Sequence, residues 1–594
     1  MEPFTARGLV WHLGPGLVMR KVLLYGVLIV VALTLGATRP TWGLAVILGA
    51  LLGAVSSQLG GLIAAVGIGL GWVFSRVTHI ASVGNLLIAA GLAGAVGALW
   101  AWRHRDGGMR LTDLRGSGAW RDALVGVFSR KSGASLVLHS AAWRSTPHEL
   151  RLAGMLRKGF DHIGAGDFVL GRLGAAIVVA PRGSHTAVIG PTGSAKSTGC
   201  LIPSLIARTG GYAPALVGSA KPDVLMATLA ARRSVGPVAV FDPAGLVTPQ
   251  VGVPRLAWSI PAMCSGPDAW PTAQHVASVL GNSGGDNARG SQFFRQRAAA
   301  GIAVYLFAAG RSGAGMDTVV AWARGSRKGE LSAALLGAPV EVAEAASSIG
   351  VGSSDSSADV ASTALGLLQP WAETSVVEAT SHSGDDPWTP GKFLDDGGTL
   401  YLVYGPARLG VVATILLDSV VRETERRHIQ TGRALPGWGC SLMLDEAASL
   451  GTGTDLPRLH EVGRGWGLSV TSFWQSVAQL DRVYGLSAEE RILGSCGAIM
   501  VLPPGDPATN AWLGKRLGTA SYEKTSKTTH SGGGQSYSTT PHEAPAFDPQ
   551  AFHVSSQALL LARGLHPAEV TISRYFEDKA LKALATPAVP TEAA

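Results

Sequence analysis

The sequence predicts an α/β fold: a nucleotide-binding core built on a parallel sheet, interrupted by a helical insertion and preceded by membrane-crossing helices. Three observations carry this reading. A short apolar strand at 183–190 runs into a glycine-containing loop and then into Lys196-Ser197 at the start of a helix. Far downstream, the apolar run at 439–444 ends in Asp445-Glu446. Apolar residues are also concentrated between Val22 and Trp102, and the mean hydropathy of the 594-residue chain is +0.25, high for a water-soluble enzyme.

The N-terminal region divides into a run at 22–37 that stops at Arg39-Pro40, a stretch from Trp42 to Phe74 broken by the polar 56–58, and a run at 84–102. A membrane-crossing helix needs about 20 apolar residues, or about 17 at the low end, so 42–74 is long for one helix and short for two. Four spans are expected within 22–102, two with a re-entrant piece being the alternative. Arg20 and Lys21 precede the first span, and Arg103, Arg105, Arg110 and Arg115 follow the last. Positive residues favour the cytoplasmic side, so the N-terminus (1–21) and everything after 102 are expected there. A cleavable signal peptide is not expected, because no small-residue cleavage site is evident and further apolar spans follow.

Only 15% of residues are charged, yet the net charge is +8. That balance suits contact with nucleic acid or anionic lipid headgroups, or reflects orientation in a membrane. The four cysteines are scattered without a C-x-x-C pair, which argues against a zinc site or a disulfide framework and fits a reducing cytosol.

The loop reads 188-VIGPTGSAKSTG-199. Strand, glycine loop and Lys-Ser opening a helix is the arrangement of a phosphate-binding loop. Its N–H groups form a nest for phosphate oxygens, helped by the positive end of the following helix. Gly190, Pro191, Thr192, Gly193, Ser194, Ala195, Lys196, Ser197 and Thr198 are therefore the expected nucleotide-binding residues. Lys196 would reach the β- and γ-phosphates, and the Ser197 hydroxyl would hold Mg²⁺. Ala195 stands where the motif has its second glycine; with φ positive its methyl costs roughly 1 kcal/mol.

Asp445 is expected to complete the Mg²⁺ shell, and Glu446 to polarise the attacking water. A third strand, 467–476, ends in Gln475, whose amide is placed to sense the γ-phosphate. Between the two halves of the site, 213–223 and 237–245 read as further core strands. From 268 to 381 apolar residues fall at three- and four-residue spacing, the mark of helices, and the core resumes with a strand at 398–406. The expected sections are thus 103–267 and 382–518 for the core, 268–381 for an all-α insertion, and 519–545 for a mobile Ser/Thr/Gly-rich segment. A closing strand region follows at 546–578, then a frayed tail at 579–594.

Several stretches together resemble the TraG/TraD-type coupling ATPases of conjugation and type IV secretion. They are 168-FVLG-171, 218-GSAKPDVLMAT-228, 240-VFDPAG-245 with 258-WSIP-261, and 293-FFRQRAAAGIAVYLFAA-309. The longest runs from 444-LDEAASLG-451 through 456–485. The resemblance implies a RecA-like P-loop NTPase domain with an inserted all-α domain, preceded by N-terminal transmembrane helices in a bacterial inner membrane. It implies ATP and Mg²⁺ as cofactors, a hexameric ring, and ATP-driven delivery of single-stranded DNA with its attached relaxase, or of effector proteins, into a secretion channel. The membrane region is larger than the two helices usual in the family.

A ring ATPase commonly completes its site with a cation from the neighbouring subunit. Arg464 is the expected finger, in the turn entering the strand at 467, with Arg458 the alternative. Lys221, Arg482, Lys515 and Arg516 are candidates for a DNA track that meets phosphates without reading sequence. Two competing readings are an FtsK-like double-strand translocase and a nucleotide-binding docking protein with little hydrolysis. The former predicts a C-terminal basic helical DNA reader, and no such domain follows the core in the sequence. Ala195 favours the latter, while the Asp445-Glu446 pair argues against it.

Overall fold

The structure, a computed structural model, describes residues 144–208, 214–248, 251–283, 289–348, 357–381, 387–529 and 535–585. The expected transmembrane segment at 22–102 lies outside the described residues. Among the described residues no helix is long and apolar enough to cross a membrane.

Twelve strands form one sheet. In chain order they are β1 (Leu156–Arg157), β2 (Val169–Leu173), β3 (Ala176–Val179), β4 (Thr186–Ile189), β5 (Ala215–Ser219), β6 (Val238–Phe241), β7 (Thr399–Val403), β8 (Cys440–Leu444), β9 (Leu468–Trp474) and β10 (Ala498–Val501). A separate hairpin, β11 (Thr519–Thr529) with β12 (Gln535–Pro545), precedes β13 (Gln557–Ala562) and β14 (Ala568–Thr571). The strands β10-β4-β9-β8-β5-β7-β6 are all parallel. β13, β14, β2, β3 and β1 extend the β10 edge in antiparallel fashion.

Side chains alternate across this sheet and are buried on both faces, as a doubly covered parallel sheet requires. Ala187 and Ile189 face one core and Val188 the other; Leu400 and Leu402 oppose Tyr401 and Val403; Leu442 and Leu444 oppose Met443. One face is covered by helices α1 (Ile202–Ala207) and α2 (Asp223–Arg233). The other carries α5 (Gly410–Thr431) and α6 (Leu456–Trp466), together with the helical insertion.

That insertion holds α3 (Ala269–Asn282), α4 (Arg289–Ser312) and shorter helices through Thr374–Ser381. Along α4, Ala298, Ile302 and Leu306, with Ala299, Ala303 and Phe307, repeat every fourth position and are all buried, which is the stripe a helix needs to join a core. They belong to the same apolar core as Leu216, Leu400 and Leu442 of the sheet. A hydrogen-bonded His275–Asp418 pair also ties α3 to α5. The helical stretch is thus continuous with the core of the sheet.

Two expectations at the C-terminal end are corrected. Within 519–545, read as mobile from its Ser, Thr and Gly content, residues 519–529 and 535–545 pair as the hairpin β11–β12 at eleven positions. Composition signals weak packing, but a ladder in which backbone groups satisfy each other needs no apolar composition. The tail read as frayed from 579 begins instead with a helix, Lys579–Ala585, whose Leu581 is fully buried.

Candidate nucleotide site

The carboxyl ends of β4, β5, β8 and β9 converge on one cleft of about 350 Å³, where open parallel sheets place their ligands. It is lined by Thr192, Gly193, Ala195, Lys196, Ser197 and Thr198 from the loop after β4, by Asp445 and Glu446 after β8, and by Gln475 after β9. These sequence-predicted residues, drawn from Thr192 to Gln475, therefore meet.

The loop has a defined conformation. Gly193 (φ +83) and Ala195 (φ +70) are both left-handed, so the alanine pays the penalty that its place in the motif implies. The helix that follows opens with a π turn, Ser197–Leu201, before becoming α-helical. Pro203 has no N–H to give to the carbonyl of Gly199, four residues earlier, and this breaks the regular ladder.

Lys196 is buried, and its Nζ donates to the carbonyls of Gly190 and, at 2.9 Å, Pro191. Burial lowers its pKa, against the pull of Asp445 and Glu446. Ser197 Oγ donates to Asp445 Oδ2 at 2.8 Å across 248 residues of sequence. Asp445 is itself fixed: its N–H donates to the Gly218 carbonyl at 2.8 Å, and its carbonyl accepts from Tyr404 Oη at 2.8 Å. Burial pushes its carboxyl up to about 6; the Ser197 hydrogen bond opposes this, while the neighbouring Glu446 and Asp223 add to it. A buried carboxylate held against a hydroxyl, repelled by two further acids, is a site that gains from a hard cation. Among the described residues no group of three or more His, Cys, Asp or Glu is arranged to hold a metal. Glu446 adopts a left-handed backbone (φ +56), a strain of the kind retained at functional positions.

The structure redistributes three other predicted residues. Arg464 lies in the last turn of α6, not in the following turn. It is near the buried His185 at the start of β4 and lowers that imidazole's pKa after burial itself has done so. This is the amino edge of the sheet, opposite the cleft, so within one chain Arg464 does not reach the site. Lys221, read as part of a DNA track, lines the nucleotide cleft. Arg458 is engaged with Glu425 at 2.6 Å and over the Trp466 ring. Sequence reasoning missed Ser219, Asp223, Ser449, Gln479, Arg574 and Phe576, which also line the cleft. Asp223 was discoverable, because it follows the short loop after β5, at the start of α2.

Residues 440–552 match the family model described as the TraM recognition site of TraD and TraG. The resemblance to the TraG/TraD-type coupling proteins holds. The solved structure of the bacterial conjugative coupling protein TrwBdeltaN70 in its unbound monoclinic form superposes with a TM-score of 0.52, covering 72% of this chain and 92% of that one at 18% identity. Its trigonal form in complex with sulphate gives 0.51, with 72% and 93% covered at 17% identity. No curated protein matches the chain in sequence. The coupling-protein fold is therefore shared at a sequence distance where only architecture carries over.

Ala195→Gly is expected to change little. Glycine removes a left-handed penalty of roughly 1 kcal/mol, but it frees the unfolded chain by about 0.4–1 kcal/mol. The net change in stability should stay within about 1 kcal/mol; unfolded-state entropy does not enter ATP affinity, where relief of a loop penalty of at most that size corresponds to about 5-fold or less. Calorimetric binding that weakens by much more would show the methyl to be part of the site.

Proposed function

We propose that this chain is a membrane-anchored coupling ATPase, which uses ATP hydrolysis to pass single-stranded DNA with its relaxase, or protein substrates, into a type IV secretion channel. The observation that carries the reading is the Ser197–Asp445 hydrogen bond, which joins the two halves of a nucleotide site in a chain whose residues 440–552 match the TraD and TraG model.

Each residue has a task that its placement supports. On binding, Lys196 exchanges the Gly190 and Pro191 carbonyls for the β- and γ-phosphates. Ser197 and Asp445 would hold Mg²⁺, which would supply charge neutralisation at the phosphates. Glu446 polarises the attacking water, and Gln475 at the end of β9 registers the γ-phosphate. Arg464, facing away from its own cleft, serves the neighbouring subunit of a hexamer. The 440–552 region docks a relaxosome protein, consistent with the description of the family it matches. The N-terminal segment anchors the ring in the inner membrane.

The test is ATP hydrolysis by the full-length protein in detergent, with and without single-stranded DNA. DNA is expected to stimulate turnover, and Glu446→Gln to bind ATP while losing at least about 100-fold in rate. Nucleotide binding without turnover, in protein verified to be oligomeric, would favour the docking reading to which Ala195 lends support.

A further inference from the structure

We propose that residues 572–578 form the base-side wall of the nucleotide cleft, with Phe576 the stacking surface for the aromatic base and Arg574 the cation beside it. The inference rests on the nucleotide reading of the cleft given above.

This stretch leaves β14 and runs over the phosphate-loop helix. Three contacts hold it there. Ile572 lies so close to Gly199 that a Cβ at that position would come within 2.3 Å of Ile572 Cγ2; only glycine on the loop helix admits the crossing chain. The Tyr575 N–H donates to the carbonyl of Thr198 at 2.9 Å, which ties the strap to the residue after Ser197. At its far end Asp578 is paired with Arg172 of β2 and caps the terminal helix by accepting from Ala580 N at 2.9 Å.

Between these anchors the side chains alternate. Tyr575 packs against the core beneath the sheet, while Arg574 and Phe576 line the cleft. Three aromatic rings border the cleft, but Phe473 and Trp474 are fully buried by the fold and offer no face. Phe576 is 46% exposed. A ring left open beside a phosphate-binding loop, on a segment fixed to that loop, has the placement needed to stack on a nucleobase. The Arg574 guanidinium stands over the Phe576 ring, 6.0 Å from its centroid, and its ion pair with Glu577 is long, at 3.7 Å. It thus sits with the ring at the cleft, with hydrogen-bonding capacity to spare for base or ribose.

Base contacts and phosphate contacts separate cleanly with two probes, ATP and inorganic tripolyphosphate, each with Mg²⁺. Binding of both to the full-length protein in detergent is measured calorimetrically. Phe576→Ala is expected to weaken ATP by about 10-fold and to leave tripolyphosphate unchanged. Phe576→Trp, which keeps a stacking face, should retain ATP binding, and Arg574→Ala should weaken ATP alone. Equal loss of both probes in Phe576→Ala, or no loss of either, would overturn the wall. Wild-type protein that binds neither probe would instead overturn the nucleotide reading itself.

Discussion

Lys196→Ala is expected to bring ATP hydrolysis to background, a loss of about 1,000-fold or more, as for removal of a preorganised cation from a transferring phosphoryl group. The geometry explains why no neighbour can substitute. Lys196 is buried, its ammonium is pinned by two loop carbonyls at the mouth of the phosphate nest, and the acids after β8 lie within its field. Lys221 and Arg574 border the same cleft, but neither side chain belongs to the loop that would wrap the phosphates. The substitution also removes the cation that helps keep Asp445 ionised, so Mg²⁺-dependent ATP binding should weaken together with turnover. Glu446→Gln differs here, since it should keep binding and lose only rate. Phosphate release measured for the two variants side by side separates them. Activity surviving in Lys196→Ala would sink the site assignment.

The halves of this site were legible because each is a local pattern tied to a strand end. An apolar run of four or five residues followed by Gly190, Asp445 or Gln475 announces a buried strand whose next residue emerges at the carboxyl edge, and a parallel sheet brings such edges together. Phe576 and Arg574 carry no such announcement. Their approach to the loop depends on β14 pairing antiparallel to β13, on β13 pairing antiparallel to β10, and on β10 lying beside β4. That chain of long-range pairings has no local signal. The place of Lys221 in the cleft was not legible for the related reason that a lysine after a strand looks alike whether it meets solvent, DNA or a ligand.

At the level of the fold, the core strands and the helical stretch at 268–381 were readable from periodicity. The antiparallel extension β2–β3 was not, because its short segments are punctuated by glycine and look like loop. The hairpin β11–β12 was missed for a different reason: its serine- and threonine-rich strands carry no apolar alternation, and what joins them is backbone pairing. Arg464 shows the limit of reading turns. The helix α6 is capped at its start by Asp455, which accepts from the Arg458 N–H at 3.0 Å, and it runs on to Trp466. The arginine is therefore carried to the amino edge of β9 as a helical residue.

Asp167→Ala is expected to destabilise the fold by about 3 kcal/mol, in a manner that depends on pH. The Asp167 side chain is fully buried between β1, β2 and the start of β4. It accepts from Arg157 at 2.8 and 2.6 Å, from Arg182 at 2.7 Å and from the Gly164 N–H at 3.0 Å. Burial alone would raise its pKa, but the hydrogen bonds from Arg157 and Arg182 outweigh that and hold it at about 2. Because the folded value lies below the unfolded 3.8, the native state binds fewer protons between them. The carboxylate's stabilisation, about 2 kcal/mol from that difference, is complete above pH ~4 and is lost as pH falls toward 2. Removing the carboxylate also strands Arg157, whose side chain is only 14% exposed, and a broken buried pair costs about 3–5 kcal/mol. The lower figure applies because Arg182 can turn to solvent. Thermal unfolding of the nucleotide-free protein should therefore show a gap between wild type and variant that is widest near neutrality and narrows below pH 4. A gap that stays constant down to pH 2 would mean that Asp167 acts through its shape, and that the two arginines are held by something other than its charge.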